Sequence, residues 1–512
     1  MTLRPIRPII PQAISQVGSV FGERRMLRAV SFAPRTVRAV AQAFAAALSV
    51  AALVGCADFG AQGIPVQPMS PESLDVGREI REAIPAPAIN MRWWSVFGDP
   101  ALDQVVDDAL SNSPELTAAQ ARVTEALALS DVERSATSPQ LFATVSAVPT
   151  RFPASYKIPP PAAGHWQTDV QALLQASLDL DLSGRARALT RASERRADAQ
   201  LAQARCVALA LQTALVSAYL TLALDLRLLQ IANDILDQRK AILALTQERI
   251  AQGIDTRVAG LRASEPIPLA RAELARLNAD VARTRHQIAA LVGRGPGYAD
   301  TLTPRLGTLD VRPALPGALP ADLIGRRPDV AAARAGVEAE SAGIDAAKAA
   351  FYPSINLLAF AGLQSLGFHA LFSGNSSSLG VGPALTLPIF EGGRLRASLR
   401  AQTAAYTAAV AAYDDTLIGA LAQVADSLAS ITALREQLEL TTQALDDAQH
   451  AFDVEVHRYR RGLTGYLDVL LAQSRLFDDR SAQARTDSAL LTEHVHLVAA
   501  LGGSPSSGDV SK

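Results

Sequence analysis

At 512 residues, 49% of them hydrophobic, the chain carries enough apolar material for several domains of core. Aromatic residues make up only 5%, so Ala and Leu must do most of the packing, which suits close helix–helix contact better than a thick globular interior. A formal net charge of −2 with no long run of one sign argues against a nucleic-acid-binding surface, and two cysteines, Cys56 and Cys206, exclude a disulfide framework.

Arg28, Arg35 and Arg38 precede a mostly apolar stretch from Ala39 to Val54. It is too short to span a bilayer comfortably and has the flanks of a signal peptide, assigned here to residues 1–55. Met26 is a sensible start, which would make residues 1–25 an upstream extension. The stretch closes on Leu53-Val54-Gly55-Cys56, similar to the bacterial lipoprotein signal, where cleavage precedes a cysteine that is then acylated. The alternative is a lone cysteine after an apolar run. Acyl chains on Cys56 would anchor the mature N-terminus, each buried methylene contributing about 0.8 kcal/mol. Ala57, not Asp, follows, which in such proteins favours the outer membrane. Residues 56–92, rich in Pro, Gly and small polar residues, read as an extended lipidated tether. Order is expected to begin at Trp93-Trp94 with Phe97, Asp99-Pro100 and Leu102, the tryptophans docking the start of the fold and not forming a ligand platform.

From there the chain is written twice. Pro114 and Pro139 recur as Pro328 and Pro353, 214 residues on, and Gly184 and Gly253 recur as Gly393 and Gly462, 209 residues on. Internal repetition decides architecture before single residues do. The first repeat is placed at 93–297, a linker at 298–318, the second repeat at 319–502 and a disordered tail at 503–512. In the first, helical spacing predicts one helix over about 101–136, stopped by Pro139. Alternating runs over 140–148 and 166–182 predict an antiparallel strand pair. Arg185 to Gln252 contains neither Gly nor Pro, and an unbroken helix of that length would reach about 100 Å. After Gly253 a further helix runs to about Val292, kinked at Pro266 and Pro268. The second repeat predicts a helix over about 321–350, strands at 354–364 and 379–390 joined by a Gly/Ser-rich loop at 373–378, a long helix from Arg394 to Arg461, and a last helix to about Leu501.

Four strands of roughly ten residues match the length of tilted membrane β-strands. Four cannot close a barrel, and an open edge in lipid leaves backbone groups unsatisfied, so a membrane barrel would have to be shared between chains. The alternative is a small soluble sheet capping the helices. The signal peptide favours the barrel, as does the reading that no 20-residue apolar helix occurs in the mature chain. Helices of this length must lie against one another as coiled coils or ring a common axis.

The sequence resembles the outer-membrane efflux proteins, the TolC-like channel-tunnels, and within them the lipoprotein branch of NodT type. The resemblance runs from about Trp93 to Gly502. It is carried by Trp93-Trp94 with Phe97 and Asp99-Pro100, by Arg326-Arg327-Pro328-Asp329-Val330, by Phe351-Tyr352-Pro353-Ser354-Ile355, by the stretch from Leu387 to Arg394, and by Tyr459 to Gly462 with Tyr466 to Leu470. It implies a mainly α fold with a membrane β part: long coiled-coil helices forming an α-barrel, and four strands per chain completing a trimeric twelve-stranded β-barrel. It implies a bacterial outer-membrane location, lipid-anchored and extending into the periplasm. It also implies a passive homotrimeric duct exporting small molecules such as drugs and toxic compounds, with a periplasmic adaptor and an inner-membrane pump of the resistance–nodulation–division type, in contact with outer-membrane lipid and with no nucleic acid. The close variant is the duct of a type I protein secretion system. A different class is a lipid-anchored periplasmic coiled-coil scaffold without channel activity.

Gly253 and Gly462 suit helix C-terminal caps. By resemblance they are also the periplasmic tips, where Gly253, Gly462, Leu463 and Thr464 would contact the adaptor. Asp468 matches a position where relatives narrow the entrance with acidic side chains, and three copies would form an anionic ring. The alternative is a solvated helix charge. Ala259 holds the corresponding place in the first copy, so the ring would be thin. Arg257, Arg458 and Arg461 are candidates for interhelix ties that hold the tip closed. No enzyme is expected: His494 and His496 lie two apart and cannot share a metal from one helix, and no phosphate-loop, dinucleotide or nucleophile-elbow motif occurs. No cofactor is implied.

Overall fold

The computed structural model describes residues 66–70, 73–75, 77–81, 92–155, 159–160, 162–304 and 327–503. The signal segment, Cys56, Arg326, most of the linker and the last nine residues lie outside them. Gly77–Arg81 forms α1, inside the stretch expected to be extended, and Ile80 is buried there against Val424, Leu428 and Leu497. Trp93 and Trp94 are buried as expected in a 3₁₀ turn, with Trp93 Nε1 donating to Gln212 Oε1 at 3.2 Å. They join a core cluster with Phe97, Leu102, Val106, Leu215 and Tyr219, and the Tyr219 hydroxyl donates to Asp99 at 2.6 Å. The paired tryptophans therefore dock the first ordered turn onto the middle of the long helix.

The single helix expected over 101–136 is two: α2 (Pro100–Asn112) and α3 (Pro114–Ser135). The ring of Pro114 disfavours helical backbone at the residue before it, and Ser113 is extended. Ser113 Oγ instead accepts from the Leu116 N–H at 3.4 Å and starts the new helix. Next come β1 (Gln140–Arg151) and β2 (Trp166–Asp179), then α4 (Arg185–Ala251), α5 (Arg257–Ser264) and α6 (Pro266–Val292). At the expected kink the helix divides at Glu265, which keeps helical dihedrals and donates to the Leu261 carbonyl at 3.1 Å, while Pro266, without an N–H, opens α6. The second copy gives α7 (Pro328–Ala349), β3 (Ser354–Leu366), β4 (Ser377–Thr386), α8 (Arg394–Arg460) and α9 (Tyr466–Ala500). Strand β4 begins earlier and ends sooner than expected. Its ladder with β3 closes at Ser354↔Thr386, just after Pro353, and Pro388 beyond it has no N–H to offer.

Both long helices are 67 residues, about 100 Å at 1.5 Å per residue. Each contains an 18-residue window of mean hydropathy 1.8 or 1.5. The expectation that the mature chain lacks any helix apolar enough to cross a bilayer is therefore corrected. In α4 the uncharged run from Cys206 to Leu224 supplies Leu211, Leu215, Val216, Tyr219 and Leu220 to the core under the tryptophans, so protein covers much of it. Along one half of their length the helices lie side by side in the order α3, α4, α7, α8, and along the other in the order α6, α4, α9, α8. The four strands form one antiparallel sheet in the order β1, β2, β3, β4.

Candidate functional site

The register of the sheet sorts its side chains onto two faces. Leu141 pairs with Ala176, Ala143 with Leu174 and Val145 with Ala172. Leu174 and Ala172 continue to Ala361 and Leu363 on β3, which meet Leu379 and Ser377 on β4. This face is apolar nearly throughout and open: Val145 is 78% exposed, Leu379 85% and Val381 78%. The other face carries Gln140, Thr144 and Ser146, then Gln171, Gln175 and Ser177, then Asn356 and Gln364, then Ser378 and Thr386. Phe142, Val148, Leu173, Leu358 and Phe360 interrupt this face, the Phe360 ring lying over Gly380, where an added Cβ would stand 2.5 Å from a ring carbon. Apolar outside and polar inside, at strand lengths of 10 to 14 residues, is the pattern of a lipid-embedded barrel wall. Among the described residues, strands β1 and β4 each lack a neighbour on one side. In lipid those backbone groups would cost several kcal/mol apiece, so the wall must continue into other chains. The helices end at matching edges: α3 and α6 on the side of β1, α8 on the side of β4.

The far end of the helices holds the second part of the site. Gly253 and Gly462 take φ of 74° and 76°. Both turns close alike, Ile254 N donating to Arg249 O at 2.9 Å and Leu463 N to Arg458 O at 3.0 Å. The duplication thus extends to single hydrogen bonds, and the positive φ is what glycine supplies at low cost. Leu463 is 67% exposed at the tip. Asp468 caps α9, its carboxylate accepting from the Thr464 hydroxyl at 2.5 Å and from Gly465 N at 3.1 Å. Those two bonds, with Arg458 nearby, hold its carboxyl below the usual range, so it is charged at neutral pH.

Among the described residues, none of the three expected arginine ties joins helices within the chain. Arg458 pairs with Glu455 on its own helix at 3.1 Å. Arg257 and Arg461 are exposed, with no ion pair among the described residues. The tie is made by Arg249, the counterpart of Arg458 in the first copy. Its side chain is only 8% exposed. Its Nε donates to Asp255 Oδ2 at 2.6 Å, its Nη1 donates to the backbone carbonyl of Tyr459 at 2.7 Å, and its guanidinium carbon lies 4.4 Å from the Tyr459 ring centroid. The Tyr459 hydroxyl donates to Asp255 at 2.8 Å and lies 2.9 Å from Thr246 Oγ1. Four side chains from the two copies are thereby locked together at the α4–α8 tip. The repeat offset pairs Tyr459 with Ile250 and Asp255 with Thr464, so the latch has no internal duplicate to reveal it in the sequence.

Burial raises the Asp255 carboxyl, but Arg249 and the Tyr459 hydroxyl outweigh it and hold the group below the usual carboxylate range. Burial keeps the Tyr459 hydroxyl protonated well above neutrality. A depressed carboxyl contributes stability that is complete above its unfolded pKa and is lost as pH falls through its folded one. The tip should therefore stay latched from neutral pH down to about 4 and loosen only in stronger acid. Hydrogen exchange at residues 246–260 across that range checks this; loosening near pH 6 would contradict it.

A profile of the family described as outer membrane efflux protein matches residues 105–294 and 319–503. The chain is 37% identical over 361 residues to the fusaric acid resistance protein FusA of Burkholderia cepacia, spanning 69% of this chain and 67% of that one. It is 28% identical over 472 residues to the multidrug resistance outer membrane protein MdtP of Escherichia coli K12, spanning 90% and 96%. Among solved structures, the outer membrane protein VceC of Vibrio cholerae matches with a TM-score of 0.75 at 31% identity, over 81% of this chain and 99% of that one.

Proposed function

The chain belongs to the outer membrane efflux protein family, and from that premise we propose that three copies close into one passive duct that exports small toxic compounds from the periplasm. It is an outer-membrane efflux channel of TolC-like fold, with four strands in the membrane and long helices extending into the periplasm. The observation that carries the proposal is the sheet: one apolar face, one mainly polar face and two open edges. Three chains give twelve strands, and the polar faces then enclose a water-filled lumen. The names of the relatives, fusaric acid resistance and multidrug resistance, support small toxic molecules as cargo. Native mass spectrometry of detergent-purified full-length chain should give three copies per particle; monomers alone would overturn the closed duct.

The helix tips are the entrance. The Arg249–Asp255–Tyr459 latch holds each α4–α8 pair closed, and the exposed turns at Gly253 and at Gly462-Leu463-Thr464 are the surface offered to a periplasmic adaptor, which links the duct to an inner-membrane pump. Asp468 is exposed and ionised, so three copies around the axis would favour cations there. Asp468→Ala should reduce cation preference in bilayer recordings; unchanged selectivity would remove it from the entrance. Cys56 is the lipid anchor in this reading. Cys56→Ser should abolish incorporation of labelled palmitate, and continued labelling would overturn the anchor assignment.

A further inference from the structure

We propose that the repeat operator relating the two copies, applied once more, builds the seam between subunits and sets Arg400 against Asp131 of the partner subunit. The inference rests on the closed ring proposed above. Within the chain, first-copy helix α4 lies against second-copy helix α7, joined by Arg191–Asp345 at 3.4 Å, Arg195–Glu338 at 3.2 Å and Arg196–Glu340 at 3.4 Å. In a ring, α8 must meet the α3 of the next chain as α4 meets α7. The sequence offsets, 209 along the long helix and 214 along the shorter one, carry each pair across.

Arg191 becomes Arg400 and Asp345 becomes Asp131, so the opposite charges are kept. Arg195 and Glu338 become Ala404 and Thr124; Arg196 and Glu340 become Ala405 and Ala126. Where one charge of a pair has gone, the other has gone with it, and none of these positions leaves a charge facing a neutral side chain. Arg400 is exposed on its own chain, with no ion pair among the described residues. Asp131 meets Arg134 at 2.9 Å, and that arginine also reaches Glu194, so Asp131 keeps acceptor capacity for a second cation.

The sheet supplies an independent check. Within the chain Ala176 pairs with Ala359 and Leu174 with Ala361. The same offsets pair Leu385 with the partner's Val145, and Pro383 with the partner's Ala147. All four lie on the apolar face. A slip of one residue would turn one edge's apolar side chains inward, so the agreement in parity is a real constraint, reached across loops of unequal length. The lower helices agree in charge. Residues 257–292 on one free edge hold six arginines against three acids, and residues 435–460 on the other hold six acids against three arginines. Head-to-tail edges of this kind close by rotation into a ring.

An exposed ion pair contributes little to stability, so proximity is the proper readout. Asp131→Cys and Arg400→Cys, combined on a Cys206→Ser background in the full chain, should give covalent dimers and trimers with a short bis-maleimide. Either cysteine alone should not. Arg191→Cys with Asp345→Cys should react within one chain and leave the band at monomer size. If native mass spectrometry shows trimers but Asp131→Cys links only to Ala404→Cys, or to neither, the seam register is wrong while the duct stands. Monomers alone would overturn the ring and the seam with it.

Discussion

Arg249→Ala should open the entrance while the channel remains assembled. The substitution removes a buried guanidinium and leaves Asp255, with a side chain 15% exposed, without its cation. Breaking a buried pair from one side costs about 3 kcal/mol or more, which is roughly a hundredfold or more in the ratio of closed to open tips. The loss is local, because the core under the tryptophans lies far along the helix from residue 249. Bilayer recordings should therefore show larger and more persistent conductance than wild type. Arg458→Ala, which removes a part-exposed pair within one helix turn and a charge near Asp468, should change little. Tyr459→Phe should fall between, since it loses the hydroxyl bonds to Thr246 and Asp255 but keeps the ring under Arg249. Equal effects of Arg249→Ala and Arg458→Ala would contradict the latch.

Leu174→Arg and Gln175→Arg should have opposite fates although they are neighbours. Leu174 sits in the middle of β2 on the apolar face, and an arginine at the bilayer midplane of a barrel costs about 2 to 4 kcal/mol for each chain. With three chains the penalty repeats, so assembled channel in the outer membrane should fall steeply. Gln175 faces the polar side, where an arginine stays in water. Gln175→Arg should assemble normally and shift ion selectivity toward anions. Heat-resistant oligomer on gels and selectivity in bilayers read the two outcomes. Normal assembly of Leu174→Arg would show that this face does not meet lipid.

Most of the architecture was legible because it is periodic. The strand faces follow from alternation, and the long helices from 68 residues without Gly or Pro in the first copy and 68 interrupted only by Gly419 in the second. The turns at Gly253 and Gly462 follow from the positive φ that glycine permits. What was not legible depends on single contacts across the fold. The break before Pro114 was visible as a proline but was overridden by apolar spacing that continues on both sides of it. The docking of Ile80 depends on a surface built by α8 and α9, more than 300 residues later. At the tip, Arg249 and Arg458 occupy equivalent places in the repeat, and nothing in the local sequence separates the one that is buried from the one that is solvated. Tyr459 decides it, because its carbonyl and ring receive Arg249 from the other copy. The sequence comparison of the two copies also identified Asp468 and its missing counterpart at Ala259, but it could not show that Asp468 spends its carboxylate partly on capping α9.

The central claim is that copies of this chain enclose a water-filled path through the outer membrane, closed at the helix tips. Single-channel recording of purified Arg249→Ala trimers in planar bilayers tests it most directly. Stable ohmic conductance, exceeding that of wild type, is the predicted result. Intact trimers that pass no current with the latch removed would contradict it.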